Sequence, residues 1–304
     1  MDTEHWHFTM DNGTGNNNSY CKSLEEAAFF SVICVVCIFG VVGNGIVIWL
    51  LGFRIKRTPF TIYILNLAVA DFGVFLSMPI RDTLECNASF EFPVFVAESC
   101  LQSVYCASLF LLTSISIDRC VSVLFPLWYR CRRPEKLSTI LCALIWLISF
   151  LGNGICTALH LLEVFINHSP IFYVFLVNAM ICLPLIMIST LILVIRICFK
   201  PQLRQQRKLL MAILLSLLFF LILAFPLNVI CLVYFASPDP DSVYLTISHL
   251  LKYGAICVSL NSFVNPLIYF FIGRRKRGLR RKNLKLILQR VFSEKEICAE
   301  KLEP

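Results

Sequence analysis

Inside the apolar runs of this 304-residue chain stand Asp71, the lone ionisable group in Ile62–Met78, and, among other polar side chains, Asn44, Ser108, Asn261, Ser262 and Asn265. Ionisable groups in hydrocarbon are costly, so a carboxylate that persists there marks a functional place by default. One carboxylate beside hydroxyl and amide oxygens is the ligand set of a small hard cation such as Na⁺, or a place to hold a proton. A network that only binds helices together draws on the same residue types, and for each asparagine by itself packing is an equal reading. The second chemical feature is Asp118-Arg119, which closes the third apolar run. An arginine reaching out of a helix end is ordinary. Its position raises its interest, because Ser108 and Arg119 lie 11 residues apart, about 16 Å along one helix. Catalytic patterns are missing: there is no His-Glu-x-x-His, no paired membrane aspartates, and the five histidines are scattered. The chain therefore reads as something other than an enzyme. Its fifteen cysteines fall mostly in apolar runs, where cysteine behaves as a small hydrophobe. Cys34 and Cys37 share a C-x-x-C spacing but have no second pair.

The elements that position these groups must be membrane helices. The chain is 58% hydrophobic and 15% charged, against about 25% charged in a soluble domain. Seven apolar stretches run over Ala27–Leu51, Pro59–Ile80, Pro93–Ile117, Leu137–Leu162, Pro170–Ile195, Leu209–Ala236 and Val243–Ile272, each long enough to cross a bilayer core. The expected fold is an all-α bundle of seven transmembrane helices over residues 27–272. Residues 1–26 form an extracellular N-terminus, and residues 273–304 a cytoplasmic amphipathic helix and tail. That tail helix is expected over Arg274–Phe292, basic with Leu284, Ile287, Leu288 and Val291 at helical spacing, on the anionic inner leaflet. The polar start lacks a charged-then-apolar leader, so the first run acts as its own insertion signal. Pro184, Pro226 and Pro266 each free a backbone carbonyl in mid-helix, which gives hinges.

Orientation follows from charge. With the N-terminus outside, 24 of the 27 Lys and Arg lie in the inner segments, and only Lys22, Arg81 and Lys252 lie outside. That is the positive-inside pattern. The sequons at Asn12, Asn17, Asn87 and Asn167 all fall outside, which predicts a glycoprotein of the plasma membrane. Twelve acidic residues face the three basic ones there, a field that attracts cationic ligands. Acidic outer loops also follow from the positive-inside pattern alone.

In this order, the residues resemble the rhodopsin-like G-protein-coupled receptors over nearly the whole chain. The resemblance rests on Gly43–Val47, Leu65–Asp71, Ser114–Val123 with Cys120 where the family has tyrosine, Trp146, and a full Asn-Pro-x-x-Tyr at Asn265–Tyr269. Ile48–Arg54, Ile62–Leu67, Val123–Cys131 and Asn265–Gly273 look like the Mas-related subgroup. The resemblance implies that an extracellular peptide or small molecule moves the sixth helix at Pro226. Arg119 then leaves Asp118 and opens a groove for a heterotrimeric G protein, a helix-in-groove mode. Asp118, Arg119, Pro226, Asn265, Pro266 and Tyr269 are the implied coupling and switch residues. Asp71, Ser108, Asn261 and Asn265 match the family's allosteric sodium pocket, with no other cofactor expected.

Departures from the family pattern matter too. Ala224-Phe225-Pro226 replaces Cys-Trp-x-Pro, Val94 stands where the loop-disulfide cysteine is usual, and Ile192 replaces the fifth-helix tyrosine. A bridge among Cys21, Cys86, Cys100 and Cys156 stays open, and spacing does not choose one. Leu101 and Ser259 occupy the places of the aminergic carboxylate and the opsin lysine, and the acidic pair serving cationic ligands in some relatives appears as Cys156 and Phe172. Asp82, Glu98, Tyr105 and Asn228 are the candidate ligand-pocket residues. Ser293 is the only hydroxyl residue between Gly273 and Pro304, so weak arrestin recruitment is expected; the bilayer is a partner and nucleic acid is not. The competing class is a multi-span transporter or channel, which would carry inverted repeats and more midplane charge.

Overall fold

The structure, a computed structural model, describes residues 16–55, 57–87, 91–162, 170–199, 207–236, 254 and 256–269. Among the described residues all regular structure is helical. The elements are α1 (Asn16–Phe53), α2 (Pro59–Asn87), α3 (Glu91–Leu124), α4 (Pro126–Cys131), α5 (Leu137–Leu161), α6 (Pro170–Val177), a π-helical turn (Asn178–Cys182), α7 (Leu183–Phe199) and α8 (Arg207–Ala236). A last helix, α9, covers Ile256–Tyr269. Proline opens α2, α4 and α6, at the position where its missing N–H costs nothing. At the start of α2 two threonines cap each other. The Thr58 N–H donates to Thr61 Oγ1 at 2.7 Å and the Thr61 N–H to Thr58 Oγ1 at 3.2 Å, so backbone donors that no helix turn can use are satisfied.

Among the described residues five helices are long and apolar enough to cross a bilayer: Ser31–Phe53, Pro59–Leu84, Phe92–Leu124, Leu137–Leu161 and Phe172–Arg196. The other two predicted spans fall on the shorter apolar helices Leu210–Leu223 and Ile256–Tyr269. Residues 243–253, 255 and 270–272 of the seventh predicted stretch lie outside the described residues, as does the predicted tail helix. Asn17 falls in the first turn of α1 and Asn87 ends α2, whereas Asn12 and Asn167 are outside the described residues.

The α5 helix shows what surrounds the bundle. Its buried positions are Ser138, Cys142, Ser149 and Asn153, while Leu144, Leu147, Ile148, Leu151 and Ile155 are exposed. A helix in water does the reverse. An outward apolar face with small and polar residues inward is what lipid selects, where helix contact relies on close approach and hydrogen bonds. Most of α2 and α3 is buried, and α1 and α5 turn most of their surface outward. The packed centre includes Phe60, Tyr63, Leu67, Leu111, Ile115, Ile186 and Phe220. Small residues let the helices close up. A Cβ added at Gly73 would lie 3.1 Å from Val104, and one at Gly43 would lie 3.2 Å from Pro266. Trp146 clasps α5 to α2, its Nε1 donating to Asn66 Oδ1 at 3.0 Å. The Asn66 amide in turn donates to the Ile62 carbonyl at 2.8 Å.

Of the three predicted hinges, Pro184 sits two residues after the π turn, whose end is closed by the Leu183 N–H reaching back to the Asn178 carbonyl. Proline has no N–H to give, and its ring crowds the carbonyl four residues earlier. A wider turn just ahead of it relieves that crowding. Pro226 lies within α8 and Pro266 within α9.

Candidate functional site

Two buried polar clusters lie at different depths of α3. In the first, Asp71 on α2 is wholly buried. Its Oδ1 accepts from Ser108 Oγ on α3 at 2.7 Å and its Oδ2 from Asn265 Nδ2 on α9 at 2.9 Å. Asn44 on α1 extends the cluster, donating to the Gly40 carbonyl at 3.1 Å and to the Ser262 carbonyl on α9 at 3.3 Å. Three helices thus meet at one carboxylate, and α1 joins them through α9. Asn261 is buried one turn before Asn265, and Pro266 and Tyr269 are buried after it. Among the described residues no lysine or arginine lies within ion-pair reach of Asp71. A buried carboxylate without a counter-charge is neutral or holds a cation. One carboxylate beside the Ser108 hydroxyl and the Asn265 amide fits a monovalent hard ion better than a divalent one, which needs more charge.

The second cluster lies near the C-terminal end of α3. Arg119 Nη2 lies 2.5 Å and its Nε 3.2 Å from Asp118 Oδ2. Tyr129, from the short helix α4, donates to the same oxygen at 2.9 Å. Arg133 Nη2 pairs with the other oxygen, Oδ1, at 2.7 Å, and donates to Ser138 Oγ at the start of α5, also at 2.7 Å. Its Nη1 meets the Tyr129 hydroxyl. The Arg119 guanidinium stacks 4.3 Å over the Phe60 ring, and that of Arg133 lies 4.4 Å over Tyr129. Side-chain exposure is 3% for Arg119, 8% for Asp118 and 5% for Arg133, so two guanidiniums share one carboxylate almost out of water. Burial pushes the Tyr129 phenol above its usual range, with the Arg119 charge opposing; the hydroxyl stays protonated and serves as a donor.

The predicted outer acidic residues come together in an unexpected way. Glu98 Oε2 pairs with Arg81 Nε at 2.9 Å, Arg81 Nη1 pairs with Asp82 at 3.0 Å, and Gln102 donates to Glu98 Oε1 at 3.0 Å. One of only three predicted outer basic residues therefore offsets part of the acidic field at its centre. These side chains are about a third exposed, where such pairs contribute little stability. Tyr105 packs against the core and Asn228 is buried on α8. Cys100 and Cys156 are free thiols, so neither forms the bridge that spacing left open. The side chains of Cys21 and Cys86 lie outside the described residues, as does that of Pro226.

Sequence reasoning placed Asp71, Ser108, Asn265, Asp118 and Arg119, and missed Tyr129, Arg133, Ser138 and Phe60. A basic pair followed by proline at Arg132-Arg133-Pro134 was visible, but it counted only toward orientation.

Fold and site together describe a multi-helix membrane protein with two buried polar clusters. The family model described as the 7 transmembrane receptor (rhodopsin family) matches residues 43–269. Mas-related G-protein coupled receptor member H of Rattus norvegicus is 36% identical over 299 residues, 96% of this chain and 92% of the relative. Member D of Macaca fascicularis is 37% identical over 286 residues, 90% and 86% of the two chains. The proto-oncogene Mas of Homo sapiens is 32% identical over 293 residues, 92% and 88%. The chain belongs to the rhodopsin family of seven-transmembrane receptors, in its Mas-related group of G-protein-coupled receptors. That membership sets the transporter alternative aside.

Proposed function

We propose that this receptor, a seven-span protein of the plasma membrane with its N-terminus outside, binds an extracellular basic peptide or small cationic molecule and activates a heterotrimeric G protein. The observation that carries the reading is the buried Asp118–Arg119 pair with its Tyr129 and Arg133 supports. Arg119 is held back from the inner surface there, which is the resting arrangement. An agonist works only by its higher affinity for the other arrangement. α8 then moves at Pro226, Arg119 leaves Asp118, and a helix of Gα enters the opened groove. Pro266 and Tyr269 lie where α9 adjusts to that movement. Asp82, Glu98, Tyr105 and Asn228 supply the ligand side, with Arg81 displaced or shared when a cation arrives. Arrestin recruitment is weak, because the tail has a single hydroxyl residue, Ser293.

The test is calcium and cyclic AMP output in cells displaying the receptor, against a panel of basic peptides and amines. At least one is expected to give a saturable response absent from untransfected cells. Silence across the panel at full surface display would move the ligand class away from cations.

Asp71, Ser108, Asn261 and Asn265 would hold a sodium ion. When bound, the ion supplies a counter-charge to the carboxylate and favours the resting arrangement. Purified receptor is expected to melt at a higher temperature in sodium chloride than in choline chloride at equal ionic strength. A ligand at a hundredfold excess over its Kd contributes about 2.7 kcal/mol to stability. Asp71→Asn keeps a hydrogen-bonding end without the charge and should melt alike in both salts; a sodium shift that survives in it would remove the ion from this site.

A further inference from the structure

Asp118 is compensated twice, through different oxygens. Arg119 and Tyr129 use Oδ2, and Arg133 uses Oδ1 at 2.7 Å. Arg133 is also held without Arg119's help, by Ser138 on α5 and by the ring of Tyr129. Departure of Arg119 would therefore leave the Arg133–Asp118 pair in place. This has two electrostatic effects, both of one sign. In the resting arrangement two buried guanidiniums repel each other across one carboxylate, which weakens the hold on Arg119. In the active arrangement a buried Asp118 without any cation would be costly, and Arg133 removes that cost.

We propose that Arg133 is a positioning residue for coupling: it keeps the Asp118 carboxylate compensated when Arg119 leaves, and so makes that departure easier. The inference rests on the coupling reading of Arg119 above. It differs in sign from a simple lock, in which losing any partner of the cluster would free the receptor. It differs in mechanism from an anchor, in which Arg133 does no more than tie α4 to α5.

The experiment measures the affinity of engineered Gα cores, one from each major Gα class, for membranes bearing the full-length unliganded receptor at matched surface display. Arg133→Met is expected to weaken binding about tenfold, within the usual range of coupling between linked sites. Arg133→Gln, which keeps a hydrogen-bonding end without the charge, carries the same expectation should the methionine variant fail to reach the surface. Arg133→Lys restores most of the affinity. Asp118→Asn strengthens binding, and in that background Arg133→Met has no further effect, because the charge it answered is gone. Equal loss from Arg133→Met in both backgrounds would make it an anchor and overturn the proposal. Unchanged or stronger binding of Arg133→Met to the core that the wild type binds would overturn it too. Binding of no core by any variant, Asp118→Asn included, would sink the coupling reading and this inference with it.

Discussion

Arg119→Ala is expected to abolish agonist-driven calcium and cyclic AMP responses while the receptor still reaches the cell surface. Both halves follow from the inner cluster. Arg119 is 3% exposed and bonded to Asp118, and removing one partner of a buried ion pair is usually costly, about 3–5 kcal/mol, because the other charge is stranded. Here Asp118 is not stranded: Arg133 still sits 2.7 Å from its second oxygen, and Tyr129 still donates at 2.9 Å to the first. The structural loss then includes the stacking on Phe60 and the bond from Arg119 to the Tyr129 hydroxyl at 2.7 Å. The functional loss is the whole group that Gα would meet. A reduction of roughly 5–150-fold in coupling matches the range of conformational linkage, and a fall below detection is expected at native receptor density. Full signalling by this variant at matched surface display would remove Arg119 from the coupling machinery. Loss of surface display would show that the Arg133 pair does not hold the cluster together alone.

Gly40→Val is expected to deplete the folded receptor from the cell surface, through packing alone. A Cβ built on Gly40 would lie 2.3 Å from Cε2, 2.4 Å from Cζ and 2.7 Å from Cδ2 of Phe75. Phe75 is 1% exposed, so turning its ring aside would press it against the side chains that bury it. Forcing methyl groups into a filled site costs about 1–3 kcal/mol where the neighbours yield, and more where they do not. α1 cannot simply back away. The Gly40 carbonyl accepts from Asn44, whose amide also reaches Ser262 on α9, so retreat would pull on the link to the Asp71 cluster. Gly52→Val is the matched control, since nothing lies within 4 Å of a Cβ there. Surface staining and thermal melting should separate the two. Phe75→Ala added to Gly40→Val should recover part of the loss. Equal surface display of Gly40→Val and Gly52→Val would show that α1 and α2 are less closely engaged than they stand here.

The sequence already carried most of the architecture, because membrane helices announce themselves by long apolar runs without regard to partners. The predicted starts at Pro59, Leu137 and Pro170 coincide with those of α2, α5 and α6. The ends were less legible. α1 begins at Asn16, ahead of the predicted Ala27, and α3 runs to Leu124 rather than Ile117, since polar residues continue a helix once it leaves the hydrocarbon. Asp71 with Ser108 and Asn265 was legible because a lone carboxylate in hydrocarbon has few donors to meet. Arg133 was not, because its meaning depends on α4 folding back beneath α3, which no spacing records. The Arg81 contacts hid for a different reason: orientation counting treats charges as belonging to a side of the membrane, and pairing within a side leaves the count unchanged.

The π turn at Asn178–Cys182 has a consequence for comparing this receptor with its relatives. Such a turn absorbs one more residue than an α-helical turn, and each residue rotates an α-helix by about 100°. The outer segment α6 is thus indexed differently from α7. Positions counted from Pro184 keep their facing down to Ile192 and beyond, but the same count carried outward to Phe172 crosses a phase change. A one-residue insertion or deletion in this turn would redirect the whole of α6 and leave α7 unmoved. Under the proposed function, ligand preference and G-protein coupling can accordingly diverge along a single helix without either half having to follow the other.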